Sequence, residues 1–175
     1  MSTVYFLAQQ TMYFAIPLLI VALGGMFSER SGIVNIALEG IMVVGAFFGI
    51  GFIHIFQDSM SGQSLLLLAV LVSALTGAIF SLFHAFASIN LKANQVISGT
   101  ALNMFAPAFA IYTARMIQGV QQVQFMDTFY IRSVPILGDI PILGPIMFKN
   151  AYITTYIGLL IALIAWFIIN HTRFG

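Results

Sequence analysis

Residues 65–89, LLLLAVLVSALTGAIFSLFHAFASI, run for 25 positions without one Asp, Glu, Lys or Arg. A helix of that length is about 38 Å long, more than the roughly 30 Å hydrocarbon core of a bilayer. The stretch reads as a membrane span. Working outward from it, four more stretches supply the roughly 20 mostly apolar residues a span requires: 5–27, 34–56, 95–117 and 151–169. The expected fold is all-α, a polytopic transmembrane helical bundle of about five spans, forming one transmembrane domain over residues 1–175. An odd number of spans places the two ends of the chain on opposite sides.

Short polar breaks separate most of the spans: Ser28–Gly32, Gln57–Ser64 and Asn90–Asn94. One connection is long. It runs over 118–150 and carries Pro135, Pro141 and Pro145, with Pro135-Ile-Leu-Gly138 repeated as Pro141-Ile-Leu-Gly144. Proline spaced in this way excludes helix interiors and favours extended or turn backbone. An ordered loop on the membrane surface is expected.

Composition supports the membrane reading and excludes other classes. The chain is 61% hydrophobic and 6% charged, with a mean hydropathy of +1.04, whereas a soluble domain carries about 25% charged residues. Six basic and five acidic residues leave a net charge of +1. They are dispersed, so no basic tract exists to follow a phosphate backbone, and nucleic acid is excluded as a partner. Cysteine is absent, and His54, His84 and His171 lie too far apart in sequence to suggest a metal site. The first residues lack a basic n-region, so the opening apolar stretch reads as a retained span.

Orientation is not decided by charge. Arg30, Lys92 and Arg173 fall on one side of a five-span arrangement and Arg115, Arg132 and Lys149 on the other, so the excess of basic residues that marks the cytoplasmic face is missing. Tyrosines at 5, 13, 112, 130, 152 and 156 fall toward one side and Trp166 toward the other. This pattern agrees with the parity of the spans without naming the outer face.

Small residues at four-residue spacing let helix backbones approach closely in lipid. Ser73, Gly77, Ser81 and Ala85 form one such stripe, and Gly45 with Gly49 another. Pro17 predicts a kink in the first span.

Polar residues inside the spans are the candidates for function. Between Glu29 and Gly40 the sequence ERSGIVNIALEG places two acids, an Arg and an Asn beside apolar neighbours. On a helix, Asn35 and Glu39 would leave the same face one turn apart. Two readings stand: an interfacial carboxylate near Arg30, or an interior pair that fixes a broken helix start or lines a path. A second stripe, Gln95, Gly99 and Asn103, recurs every fourth residue, with Ser98 and Thr100 beside it and Pro107 beyond. Amides donate and accept together, which suits either cross-helix hydrogen bonds or recognition of a polar solute. His84 reads as a satisfied interior or interfacial imidazole. Asn35, Glu39, Gln95 and Asn103 are therefore the candidate substrate-pathway or interior polar residues, with Asn35 and Glu39 assigned to structure first.

Catalytic signatures are missing from these 175 residues. There is no Walker-type glycine loop, no His-Glu-x-x-His and no Gly-x-Ser-x-Gly, so neither a catalytic residue nor a cofactor is expected in this chain.

The stretch ERSGIVNIALEGIMVVGAF at 29–47 resembles the opening signature of bacterial ABC transporter permeases of the branched-chain amino acid and ribose type, in their nucleoside and simple-sugar branch. NQVISGTALN at 94–103, the proline-rich stretch 134–145 and TRFG at 172–175 continue the resemblance in the same order. It implies a non-enzymatic, multi-pass permease subunit of the bacterial inner membrane, part of an ATP-driven importer for nucleosides or related simple sugars. Implied partners are ABC ATPase subunits, a second permease subunit, an extracytoplasmic solute-binding protein and membrane lipid. The resemblance further implies a cytoplasmic carboxyl end, an extracytoplasmic amino terminus and an extracytoplasmic 118–150 loop. It implies that the chain is the amino-terminal half of a longer permease. The rival expectations are an ATP-independent channel or secondary carrier, and a noncatalytic membrane assembly protein.

Overall fold

The computed structural model describes residues 2–126, 128–134 and 144–172. Asp127, most of the proline repeat (135–143) and Arg173–Gly175 lie outside the described residues, so the expectations for the repeat and the carboxyl motif are not addressed by it.

Among the described residues five α-helices form: α1 Ser2–Arg30, α2 Leu38–Phe56, α3 Gln63–Ile89, α4 Gln95–Gln118 and α5 Ile153–His171. Each is long and apolar enough to cross a bilayer, so the polytopic helical bundle is the fold and the protein is a multi-pass membrane protein. Large apolar side chains such as Phe14, Leu18, Ile97 and Met104 are exposed on the helices, as they are where the surrounding medium is hydrocarbon. Pro17 and Pro107 both lie inside unbroken helical segments.

Two short strands were not foreseen: β1 Tyr130–Ser133 and β2 Lys149–Tyr152 pair antiparallel, with Tyr130 opposite Tyr152 and Ile131 opposite Ala151. The long connection thus closes on itself through backbone pairing. Between the strands, Gly144–Phe148 forms a single π-helical turn, and Val134 N–H donates to the Phe148 carbonyl at 3.0 Å.

The chain divides into two compact units, 1–26 with 129–175 and 27–128. In the first, tyrosines organise the packing. Tyr13 meets Tyr152 edge to face at 5.2 Å, and Tyr156 stacks on Phe148 at 5.9 Å. The Tyr13 hydroxyl donates to the Asn150 carbonyl, Gln9 donates to the Lys149 carbonyl, and the Tyr156 hydroxyl donates to Met147 at 2.6 Å. Gly158 of α5 lies against Ile16 and Ile20 of α1, where a β-carbon would have no room.

In the second unit α2, α3 and α4 pack around Val44, Phe80 and Ala106, with Ile41, Val43 and Leu102 against them. The small-residue stripes serve this packing. A β-carbon on Gly45 would lie 2.9 Å from the Ser73 carbonyl oxygen, and one on Gly49 would lie 3.0 Å from the Ser73 β-carbon. Gly77 faces Ile41. Helix α4 starts on Asn94, whose side chain accepts from the Val96 and Ile97 amides at 2.9 and 3.3 Å, and ends on Gly119 at φ +74°. These are the side-chain N-cap and left-handed glycine C-cap that helix ends require.

Candidate functional site

Helix α2 begins at Leu38, whereas the hydrophobic pattern predicts a span from residue 34. Residues 33–35 have no helical or strand structure, and Ile36–Ala37 form a turn. This corrects the expectation that Asn35 and Glu39 share a helical face: Asn35 precedes the helix, so the one-turn relation does not hold. Nineteen residues make α2 about 28 Å long, close to the thickness of the hydrocarbon core. Non-helical backbone beside it needs hydrogen-bond partners from protein, since lipid supplies none.

The second polar stripe supplies them. The Val34 N–H donates to Gln95 Oε1 at 2.9 Å. Two turns further along α4, the Asn103 carboxamide bridges two backbone groups. Its Nδ2 donates to the Ile36 carbonyl at 2.8 Å, and its Oδ1 accepts from the Gly40 N–H at 2.7 Å. Gly40 N–H and Ile36 C=O stand four residues apart, the separation of an α-helical hydrogen bond. One amide side chain occupies the place of that bond. The following pair, Ile41 N–H to Ala37 C=O at 2.9 Å, is an ordinary helical bond. This insertion, together with the Asn35 side chain accepting from Ala37 N–H at 3.1 Å, explains why the helix starts late.

Between Gln95 and Asn103, Gly99 is buried, and a β-carbon there would lie 2.7 Å from the Ile36 β-carbon and 3.1 Å from the Ala37 nitrogen. Gly40 is equally confined: its β-carbon would lie 2.8 Å from the Leu102 carbonyl oxygen. Three successive positions of one stripe thus serve one segment, as acceptor, as space and as bridge.

His84 completes the arrangement from α3. Only 2% of it is exposed. Its Nε2 lies 3.3 Å from the Val34 carbonyl, and its Nδ1 lies 3.2 Å from the Ser98 hydroxyl. A carbonyl only accepts, so Nε2–H donates to Val34, while Nδ1 and the Ser98 hydroxyl form the second bond. The sequence reading of a satisfied imidazole identified neither partner. On the other flank the Ser28 hydroxyl donates to the Ile33 carbonyl at 2.7 Å.

Of the four candidate residues, the structure gathers three around the 33–40 segment: Asn35 within it, Gln95 and Asn103 bonded to its backbone, all half-buried. Glu39 is exposed on the first turn of α2, and no hydrogen bond joins it to the other three among the described residues. There it complements the positive end of the helix dipole. Gly40 and His84 belong to the cluster without having been singled out as candidates. The overlooked signal was that the amide stripe on α4 needed a partner, and the polar break before α2 was available to provide it. As arranged, the cluster fixes a broken helix start within α2–α4, and the amide groups of Gln95 and Asn103 are engaged with backbone.

The chain matches the family model described as the branched-chain amino acid transport system / permease component over residues 7–175. It is 43% identical over 166 residues to the guanosine ABC transporter permease protein NupQ of Bacillus subtilis, covering 94% of this chain and 52% of that protein. It is 36% identical over 174 residues to the nucleoside ABC transporter permease protein NupC of Lactococcus lactis subsp. cremoris, covering 99% of this chain and 55% of that one. The chain thus spans about half the length of these curated relatives. No solved structure matches it.

Proposed function

Because this chain belongs to the permease-component family of the branched-chain amino acid transport system, we propose that it forms part of the translocation pathway of an ATP-driven importer for nucleosides. The observation that carries the reading is the identity of 43% and 36%, over nearly the whole chain, to relatives named for guanosine and nucleoside transport. ATP hydrolysis is assigned to ABC ATPase partners. A second permease subunit and an extracytoplasmic solute-binding protein complete the assembly. The amino terminus and the 118–150 connection face outward, and the carboxyl end faces the cytoplasm.

In this mechanism, ATP binding shifts the assembly between two packings, one open to each side. The α4 amides bind the 33–40 backbone without using apolar contacts alone, so α2, α3 and α4 move as one body. The flanking Ser28–Ile33 bonds mark where the chain enters that body. Asn35, Gln95 and Asn103 set the geometry of the path, and solute recognition is assigned elsewhere.

The test is uptake of radiolabelled guanosine by cells carrying the full-length permease with its partner subunits, alongside cells whose ATPase subunit lacks its nucleotide loop. Accumulation only with the intact ATPase is expected. Uptake that survives loss of the ATPase and collapses with the ion gradient would establish a secondary carrier. Copurification with a membrane complex, without movement of any nucleoside or simple sugar, would establish an assembly role.

A further inference from the structure

Gln9, Gln10 and Tyr13 lie on the early turns of α1, inside a segment apolar enough to cross a bilayer. Amides in such a place need partners, because hydrocarbon offers none. Gln9 has one: its Nε2 donates to the Lys149 carbonyl of β2, next to the bond from the Tyr13 hydroxyl to the Asn150 carbonyl. These two bonds hold the β1–β2 pair against α1. The Gln10 amide is half-buried and makes no hydrogen bond among the described residues.

Between α1 and the two strands lies a groove of about 340 Å³, at the lower end of the roughly 300–1,000 Å³ range of small-molecule sites. Gln10, Asn150 and the rings of Tyr13, Tyr130 and Tyr152 line it. Its wall is as much polar as apolar, and none of the residues lining it carries a charge. Asn150 stands at φ +51°, a left-handed conformation that Asn tolerates better than most residues with a side chain. Its carbonyl is held by Tyr13, while its own amide side chain, on an exposed residue, makes no hydrogen bond among the described residues. Tyr13 and Tyr152, edge to face at 5.2 Å, also line a smaller cavity of about 150 Å³ further along α1, with Ile16, Ile20 and Thr155. The ring pair thus separates the groove from that inner space.

We infer that this groove receives the sugar of a nucleoside, with its hydroxyls bonded to the Gln10 and Asn150 amides and its carbon face on the tyrosines. Amides and hydroxyls each donate and accept, so the two match without any charge. The C–H bonds of a sugar ring carry the slight positive charge that the negative face of an aromatic ring attracts. A zwitterionic amino acid would need charged partners on leaving water, and the wall provides none. An apolar solute would strand both amides. The inference rests on the nucleoside reading proposed above and names the part of the solute that is held. The groove is built from the amino-terminal part of α1 and the strands of the long connection. Under the proposed orientation both face outward, the side from which solute arrives.

The test is transport by the full-length permease assembled with its partner subunits in proteoliposomes, with guanosine and dideoxyguanosine as paired substrates. Dideoxyguanosine lacks the two secondary hydroxyls of the sugar. The binding protein is the same throughout, so its own preference cancels when each variant is compared with the parent. Gln10→Leu should lower kcat/KM for guanosine about tenfold, the equivalent of one lost hydrogen bond, and leave that for dideoxyguanosine nearly unchanged. Asn150→Gly keeps the left-handed backbone and removes the amide, and should discriminate in the same way. A merely structural role would lower both substrates alike. Photolabelling the unsubstituted assembly with guanosine carrying a diazirine on its sugar gives a readout independent of variant folding. Label competed away by guanosine should map to 6–13, 130–133 or 149–152. A parent that imports guanosine while both variants change the two substrates equally or not at all, or whose competed label lies elsewhere, overturns this inference alone. A parent that imports no nucleoside overturns it together with the function it rests on.

Discussion

Two glutamines near opposite ends of α4 have different fates. Gln95 accepts from the Val34 backbone at a place where Gly99 and Asn103 also meet the same segment. Gln118 accepts from Gln124, and its buried Nε2 makes no hydrogen bond among the described residues, beside a largely apolar cavity lined in part by Phe47, Phe48 and Phe52. The glycines follow the same division. A β-carbon on Gly99 or Gly40 would lie within 3 Å of another element, whereas one on Gly51, which lines the cavity, would meet nothing within 4 Å. A polar side chain in a membrane span is therefore not by itself a sign of a solute path. One end of the same helix pair is closed by its amides, and the other leaves room among mostly apolar side chains.

The largest effect belongs at the closed end. Gly99→Val places branched carbon where 2.7 Å separates a β-carbon from Ile36, and overpacking of this kind costs about 3 kcal/mol. The full-length permease should fail to accumulate in membranes or lose most of its thermal stability in detergent. A midpoint unchanged from the parent would mean that the 33–40 segment does not pack on α4. Next is Asn103→Leu, which deprives Gly40 N–H and Ile36 C=O of their bridging partner. The expected loss is about 2 kcal/mol. Hydrogen exchange at Gly40 sharpens the comparison: slow exchange in the variant would show that α2 has grown back by one turn and restored the bond itself, reducing the loss.

The spans were legible because about 20 apolar residues are a requirement of the bilayer, independent of tertiary detail. The four predicted breaks and the five helices agree to within a few residues except at the start of α2. That exception has a specific cause. Hydrophobic periodicity continues through Ile33, Val34 and Ile36, but the Asn103 amide, 63 residues from Gly40 in sequence, inserts where the helical bond would be. No local pattern encodes such an insertion. The pairing of β1 with β2 was hidden for a similar reason: its partners are 22 residues apart at Tyr130 and Tyr152, across a proline-bearing connection that reads only as non-helical. At the candidate site, the stripe of Gln95, Gly99 and Asn103 was visible as a stripe. Its target was backbone, which carries no sequence signature.

At the open end the same kind of substitution should have the opposite sign. Gly51 is in the middle of α2 with space around it, so Gly51→Ala should raise stability by about 0.8 kcal/mol through helix propensity. A rise in the thermal midpoint of the full-length permease is expected. A fall would show that another part of the assembly packs closely against Gly51 and that the cavity is smaller in the complete protein.

The smallest effect is expected at Glu39. The N-cap of α2, Ala37, has no side chain able to accept a hydrogen bond, and Glu39 is the acid in the first turn. A carboxylate in that position stabilises an exposed helix end by about 0.5 kcal/mol, less when salt screens it. Glu39→Gln should therefore lower the thermal midpoint slightly at low ionic strength and hardly at all at high ionic strength, with guanosine KM unchanged. The salt dependence separates this role from one in the path, because a group that touches solute inside the assembly would alter KM at both ionic strengths. Loss of uptake with the midpoint unaffected would move Glu39 from the helix end to the route taken by solute, and the division between a closed end and an open end of this unit would no longer hold.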